Sequence, residues 1–314
     1  MADAVTRAPG WLARLGGSGG AGRRPRGDWP WAYLMIAPTG LGLAVFYLWP
    51  VVQTVYFSFT EWGAFGGHTW VGFANYTTLF QDPAVGQALR NTFVYSGLVL
   101  LGVPLSIVLA VLLNTPKLRG VSVYRTLYFL PVVTMPAAVA MLWRWIYNGD
   151  YGLLNYGLSL FGVDGPYWVS DGRVVLYAMA VVGVWTLIGY NAVIFLAGLQ
   201  GIPQHYYEAA AIDGAGRVRQ FFSITLPLLS PSIFFVTVLT VIGSLQMFDL
   251  IYMMMDRGNP ALTDNRTIVY LFYEAAFVDN RRGYAACIAV VLLAVILTLT
   301  VVQFRLQKKW VHYE

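Results

Sequence analysis

The chain has 314 residues, is 58% hydrophobic and only 11% charged, and carries a net charge of +5 with a mean hydropathy of +0.60. Soluble domains hold roughly 25% charged residues, so this composition excludes a water-soluble globule, a disordered chain and a disulfide scaffold, and leaves a polytopic membrane protein. The single cysteine, Cys287, cannot form an internal disulfide, and the basic residues sit at span ends and in one tail, without the aromatic interleaving of a nucleic-acid surface.

Residues 1–28 are polar and rich in Gly and Arg, with Gly16-Gly17-Ser18-Gly19-Gly20 followed by Arg23-Arg24-Pro25-Arg26. Such a segment cannot pack a core and reads as a flexible cytoplasmic tail. It is not a signal peptide, because no A-x-A site follows the first apolar run. From residue 29 to 314 the chain reads as one transmembrane domain. Bilayer-crossing helices need about 20 mostly apolar residues, and six candidates follow in order: 31–58, 89–113, 124–146, 174–199, 231–255 and 283–305. The expected fold is therefore all-α with six transmembrane helices. Placing the N-terminus in the cytoplasm puts thirteen of the 20 basic residues inside: Arg7, Arg14, Arg23, Arg24, Arg26, Lys117, Arg119, Arg125, Arg217, Arg219, Arg305, Lys308 and Lys309. Six spans then return the C-terminus to the same side. Trp29, Trp31, Trp49, Trp62 and Trp143 fall near the expected membrane interfaces, and Asn91 and Arg144 read as span-end anchors.

Several chemistries are missing. The three lysines (Lys117, Lys308, Lys309) form no phosphate-cradling GK[ST] loop, so the chain has no such means of binding ATP. The three histidines (His68, His205, His312) lie outside the spans, and no H-E-x-x-H occurs. Neither a catalytic set nor a metal site is expected, and no cofactor is assigned to this chain. Most acids are in loops; the exception is Asp249, read as lying within the fifth span near its outer end. An acid there faces a cavity or a partner, because lipid exposure costs several kcal/mol.

The longest inner loop, about 201–230, lies between the fourth and fifth spans. Pro203 suits the first turn of a helix, and Gln204 to Ile212 is rich in alanine, the best helix former. Gly214 and Gly216 permit left-handed backbone and stop that helix. A second short helix is expected through Phe221 and Phe222 until Pro227 limits it. The result is a small helix–turn–helix elbow on the cytoplasmic face. Glu208 in it reads either as a polar anchor for a docked surface or as a solvated partner of Arg217 or Arg219.

Glu208-Ala209-Ala210, then Gly214, then Ile224-Thr225-Leu226-Pro227 resembles the "EAA" loop of ABC-importer permeases at every fixed position. The fuller string from Tyr207 to Gly216 looks like the carbohydrate-uptake branch, which includes the maltose, lactose and glycerol-3-phosphate permeases. Val71-Gly72-Phe73-Ala74-Asn75-Tyr76, Phe248-Asp249-Leu250-Ile251-Tyr252 and Trp310-Val311-His312-Tyr313-Glu314 resemble other stretches of that branch, the last being of the first-subunit type. Asp256-Arg257-Gly258-Asn259-Pro260 departs from the family's usual T-x-G-G-P run.

This resemblance implies a six-span permease in a prokaryotic plasma membrane. It pairs with a second homologous permease, two ATPase subunits that hold ATP and magnesium, and an extracytoplasmic solute-binding protein. Tyr207, Glu208, Ala209, Ala210, Asp213 and Gly214 would form the coupling helix that docks on the ATPase. Matching the maltose-permease pattern puts the substrate pathway at Trp185, Leu187, Tyr190 and Asn191 in the fourth span and at Thr240, Ser244, Gln246, Met247 and Asp249 in the fifth. These residue types suit a sugar: aromatic faces stack on its C–H groups, and amide, hydroxyl and carboxylate groups bond its hydroxyls. The alternative is that Ser244 and Gln246 bond neighbouring helices and that Trp185 and Tyr190 are packing. Rival functions are a stand-alone secondary carrier, which would want an ionisable relay and an inverted repeat, and a membrane-embedded enzyme. Within the importer reading, glycerol-3-phosphate and amino sugars stand beside neutral sugars as solutes.

Overall fold

The computed structural model describes residues 29–63, 66–115 and 119–311. The tail 1–28, Lys117 and residues 312–314 of the C-terminal resemblance lie outside them. The chain falls into two compact units that divide between Val52 and Gln53.

Among the described residues the fold is all-α apart from one two-stranded hairpin, and it has six spans, two of them bent pairs. Four are long helices: Trp29–Phe57, Pro83–Leu113, Val175–Gln200 and Arg282–Trp310. The first keeps its helical path through Pro38 and a π-turn at Ala44–Leu48, and none of its residues is buried. The second starts six residues earlier than the hydropathy pattern places it. Asp82 caps it by accepting from the Ala84 N–H at 2.9 Å, and Pro83 fills the first turn, where a missing N–H costs nothing.

The third and fifth spans are bent pairs, where unbroken helices are expected from sequence. Val121–Val133 and Pro136–Ile146 meet at 103°. Proline at the first helical position drives the preceding residue out of the helical region, and Met135 sits at ψ 134°. Arg217–Leu228 and Ser230–Leu245 meet at 67°, again just before a proline, Pro231. Pro227 does not end the elbow's second helix as expected. A π-turn at Phe221–Thr225, closed by the Leu226 N–H on the Phe221 carbonyl, carries the helix through it. The fifth span also stops at Leu245 instead of running to 255. After a break at residues 246–248, a separate helix covers Asp249–Met254. The free Met247 carbonyl at this break is met by the Thr267 hydroxyl at 2.9 Å.

The fourth span is the central post of the second unit. Its small residues let neighbours approach closely. Gly189 is the sharpest case, because any Cβ there would collide with the main-chain carbonyl of Tyr128 in the third span. The buried core runs along this post from Met179 and Val182 down to Phe195 and Leu199. Ser96 of the second span and Ser244 of the fifth share a buried hydrogen bond of 2.6 Å.

Segments between the spans are tied down by side chains. Asn75 donates to the carbonyls of Ser58 and Thr60, each at 2.9 Å, and the Tyr76 and Ser58 hydroxyls pair at 2.8 Å. This accounts for Asn75-Tyr76 in the Val71–Tyr76 motif. Asn91 is a buried clamp and not a span-end anchor, for it donates to the carbonyls of Asp264 and Arg266 at 2.8 and 3.1 Å. Arg144 is likewise more than an anchor: its guanidinium grips the Asp256 carboxylate with both terminal nitrogens. Trp143 packs into the core against Tyr147 and Trp185 and not at an interface. Asn259, at the departure from the T-x-G-G-P run, donates to the Val169 carbonyl at 3.0 Å and accepts from the Ala261 N–H. A glycine there could do neither.

Candidate functional site

A cavity of roughly 500 Å³ opens between the second, third, fourth and fifth spans. The 103° bend supplies one wall through Pro131, Thr134 and Pro136. The fourth span supplies Thr186, Leu187, Tyr190 and Asn191. Thr240, Ser244 and the break residues Gln246, Met247, Phe248 and Asp249 complete it. Eight of the nine residues assigned to the pathway from sequence therefore meet at one cavity. The ninth, Trp185, lies outside it, its ring edge-on to Trp143 at 5.5 Å.

The polar groups on this wall differ in availability. Ser244 is buried and engaged by Ser96 and the Val241 carbonyl, so it joins helices while lining the cavity. Thr186 and Thr134 spend their hydroxyls on carbonyls of their own helices. Asn191 is only 4% exposed, and its amide nitrogen meets no hydrogen-bond acceptor among the described residues. A buried unmet donor costs about 1–3 kcal/mol, so a ligand oxygen reaching it would be well rewarded. Gln246 and Tyr190 are exposed to the cavity. Asp249 is exposed in the first turn of its short helix, at the helix break and not inside a continuous span. It is the one charged group on the wall, and no Lys, Arg or His lines it.

Sequence reasoning missed Tyr95, Phe248 and Leu250 on this wall. The signal for Tyr95 was present: it is a lone aromatic hydroxyl within an apolar run. Phe248 and Leu250 could not be placed without the break at 246–248.

The elbow is the second feature. Its helix covers His205–Ile212 and ends in a complete Schellman motif. Gly214 adopts φ +77°, the Ala215 N–H reaches the Ala210 carbonyl at 2.9 Å, and the Gly214 N–H reaches Ala211 at 3.1 Å. Gln220 donates to the Ala215 carbonyl at 2.9 Å, and the Tyr207 hydroxyl pairs with Thr225 at 3.0 Å. These bonds fix the angle between the elbow's two helices. Glu208, Ala209, Asp213 and Gly214 are exposed, Tyr207 and Ala210 half-buried. The only ion pairs among the described residues are Arg144–Asp256 and Arg266–Glu274, so Glu208 does not pair with Arg217 or Arg219. Ile212 is 88% exposed, and Val218 and Phe222 on the elbow's second helix are exposed as well. A rigid element with an unpaired carboxylate and bare apolar side chains has the chemistry of a docking surface.

Residues 102–312 match the family described as "Binding-protein-dependent transport system inner membrane component". The chain belongs to that family. Curated relatives agree along most of its length. It is 36% identical to the probable ABC transporter permease protein YesP of Bacillus subtilis over 291 residues, 90% of this chain and 92% of that one. It is 37% identical to the sn-glycerol-3-phosphate transport system permease protein UgpA of Brucella abortus, with 90% and 96% covered. Among solved structures, it matches the crystal structure of a bacterial ABC transporter that imports the acidic polysaccharide alginate, with a TM-score of 0.79, 25% identity and 90% and 96% coverage. A bacterial alginate ABC transporter in complex with an alginate pentasaccharide-bound periplasmic protein gives a TM-score of 0.80 at 24% identity with 90% and 95% coverage, a likeness of fold. As a member of this family the chain is a membrane permease subunit, and the stand-alone secondary carrier is set aside.

Proposed function

We propose that this chain forms half of the translocation pathway of an ATP-driven sugar importer, with residues 29–314 acting as one permease domain. A second homologous permease closes the cavity from the other side. Two ATPase subunits bind ATP and magnesium and grip the elbow through Tyr207, Glu208, Ala209, Ala210, Asp213 and Gly214, while an extracytoplasmic binding protein delivers the solute. Both termini lie in the cytoplasm, and this chain itself carries out no catalysis and holds no cofactor. ATP-driven closure of the ATPases draws the elbows together and tilts the permeases between inward- and outward-open states.

The observation that carries this reading is the elbow. Its angle is locked by the Schellman motif and by the Gln220 and Tyr207 bonds, so a push at Ile212 or Glu208 reaches the fifth span without being lost in a flexible loop. Within the sugar class, the wall favours a neutral or cationic hydroxylated solute. A phosphate ester would meet the Asp249 carboxylate with no Lys or Arg on this wall to offset it.

The test is ATP-dependent uptake in proteoliposomes holding the full complex, comparing the wild type with Glu208→Lys. The reading expects uptake to be lost and ATPase co-purification to weaken. Unchanged uptake and assembly would remove the elbow from the mechanism.

A further inference from the structure

We propose that Phe277, Tyr273, Tyr252 and Phe248 form an outer aromatic track that receives the ring of the solute and passes it to the cavity. This inference rests on the reading of the chain as a sugar permease. The four rings make an unbroken series. Phe277 is 67% exposed at the far end. Its ring centroid is 5.7 Å from that of Tyr273, and Tyr273 is 5.2 Å from Tyr252. Tyr252 is 41% exposed and stacks on Phe248 at 5.1 Å with 24° between planes. Phe248 is itself part of the cavity wall, next to Gln246 and Asp249. The series thus begins in the open and ends inside the cavity.

The rings are held in place. Two short helices carry Tyr252, Tyr273 and Phe277, namely Asp249–Met254 and Ile268–Val278, the second ending in a π-turn at Glu274–Val278, and Phe248 sits directly ahead of the first as its N-cap. Buried Tyr270 lies under Phe248. The Arg266–Glu274 ion pair at 2.7 Å braces the second helix, and Thr267 fixes the helix break beside Phe248 by donating to the Met247 carbonyl. Such support makes a platform and not a set of loose side chains.

Polar groups flank the rings in the way a hydroxylated ring requires. Arg257 donates to the Tyr273 hydroxyl at 2.9 Å, and the Asp249 carboxylate lies at the cavity end. Aromatic faces take the C–H faces of a pyranose, while guanidinium, phenol and carboxylate groups bond its hydroxyls. A row turned to lipid tails would be poorly served by a guanidinium fixed across its middle. The main rival occupant is the second permease subunit.

The experiment uses the purified permease–ATPase complex with Tyr252→Trp as a reporter, titrated with glucose, maltose, cellobiose and maltotriose, and with sorbitol as an open-chain control. The expected result is a saturable change in difference fluorescence with at least one of the cyclic sugars and none with sorbitol. Adding Phe277→Ala is expected to raise the apparent Kd roughly three- to tenfold, the range of one lost aromatic contact. In proteoliposomes Phe277→Ala alone should slow uptake of that sugar by a similar factor, with co-purification of the second permease intact. No saturable signal, or a Phe277→Ala variant that loses the second permease, overturns the track. If wild-type uptake of these sugars persists in that case, only the track fails; if the wild-type complex carries none of them, the sugar-permease reading fails with it.

Discussion

Replacing Gly189 with alanine tests the packing that shapes the cavity. The added methyl would stand under 3.0 Å from the main-chain carbonyl of Tyr128, a separation that real Cβ atoms essentially never show. That carbonyl belongs to the helix Val121–Val133 and cannot rotate away as a side-chain tip could. The third and fourth spans must therefore separate locally, which also moves Pro131 and Thr134 away from Leu187 and Tyr190 across the cavity. Overpacking of this kind costs about 1–3 kcal/mol or more, and the upper part of that range applies because backbone meets backbone. The corresponding fall in melting temperature is about 5–10 °C. Gly97→Ala is the matched control, since its methyl meets nothing within 4 Å, and alanine favours the helix by up to about 1 kcal/mol. Thermal unfolding of the purified complex, followed by tryptophan fluorescence, compares the two. Equal melting points for the two variants would refute the close crossing.

Other consequences follow from single groups. Asp249→Asn removes the only charge on the cavity wall, so competition by sn-glycerol-3-phosphate against sugar uptake should strengthen relative to wild type; an unchanged competition profile would take Asp249 out of selectivity. Ser96→Ala and Ser244→Ala each break the same 2.6 Å bond, so each should lose about 1 kcal/mol of stability, with the double variant losing less than the sum of the two; full additivity in a thermal-melt cycle would contradict the shared bond. The Arg144 guanidinium beside Asp256 holds that carboxyl below its ordinary value. A depressed acid adds stability above its unfolded-state value and loses it as pH falls through the lower folded-state value. Melting curves should therefore show this pair's contribution present and unchanged between pH 8 and 5, with a loss only in strong acid. The pair is largely exposed, so Asp256→Asn should cost no more than about 1 kcal/mol.

Hydropathy made the six spans legible because membrane burial acts on whole segments of about 20 residues. The elbow was legible for a different reason: alanine, glycine and proline act locally on the backbone, and the helix end at Gly214 needs no distant partner. The bends and the break were not. Pro131, Pro136, Pro227 and Pro231 look alike in sequence, yet the backbone turns sharply only ahead of Pro136 and Pro231. Pro227 is carried inside a helix by the π-turn before it. The break at 246–248 depends on the Thr267 hydroxyl, twenty residues away in sequence, which satisfies the Met247 carbonyl. Asn91 and Arg144 were misread for the same reason, since their partners at 264–266 and 256 lie far along the chain.

The most direct measurement places a cysteine on the elbow. Cys287 is buried and serves as an internal control, so Ala209→Cys offers the one exposed thiol among the described residues. Oxidative crosslinking in the assembled complex, against single cysteines placed around the ATPase cleft, should give a covalent permease–ATPase product that forms more readily when ATP is bound. A thiol at position 209 that reacts with water-soluble maleimide at the same rate with and without the ATPase, and gives no such product, would contradict the claim that this elbow is where the motor takes hold.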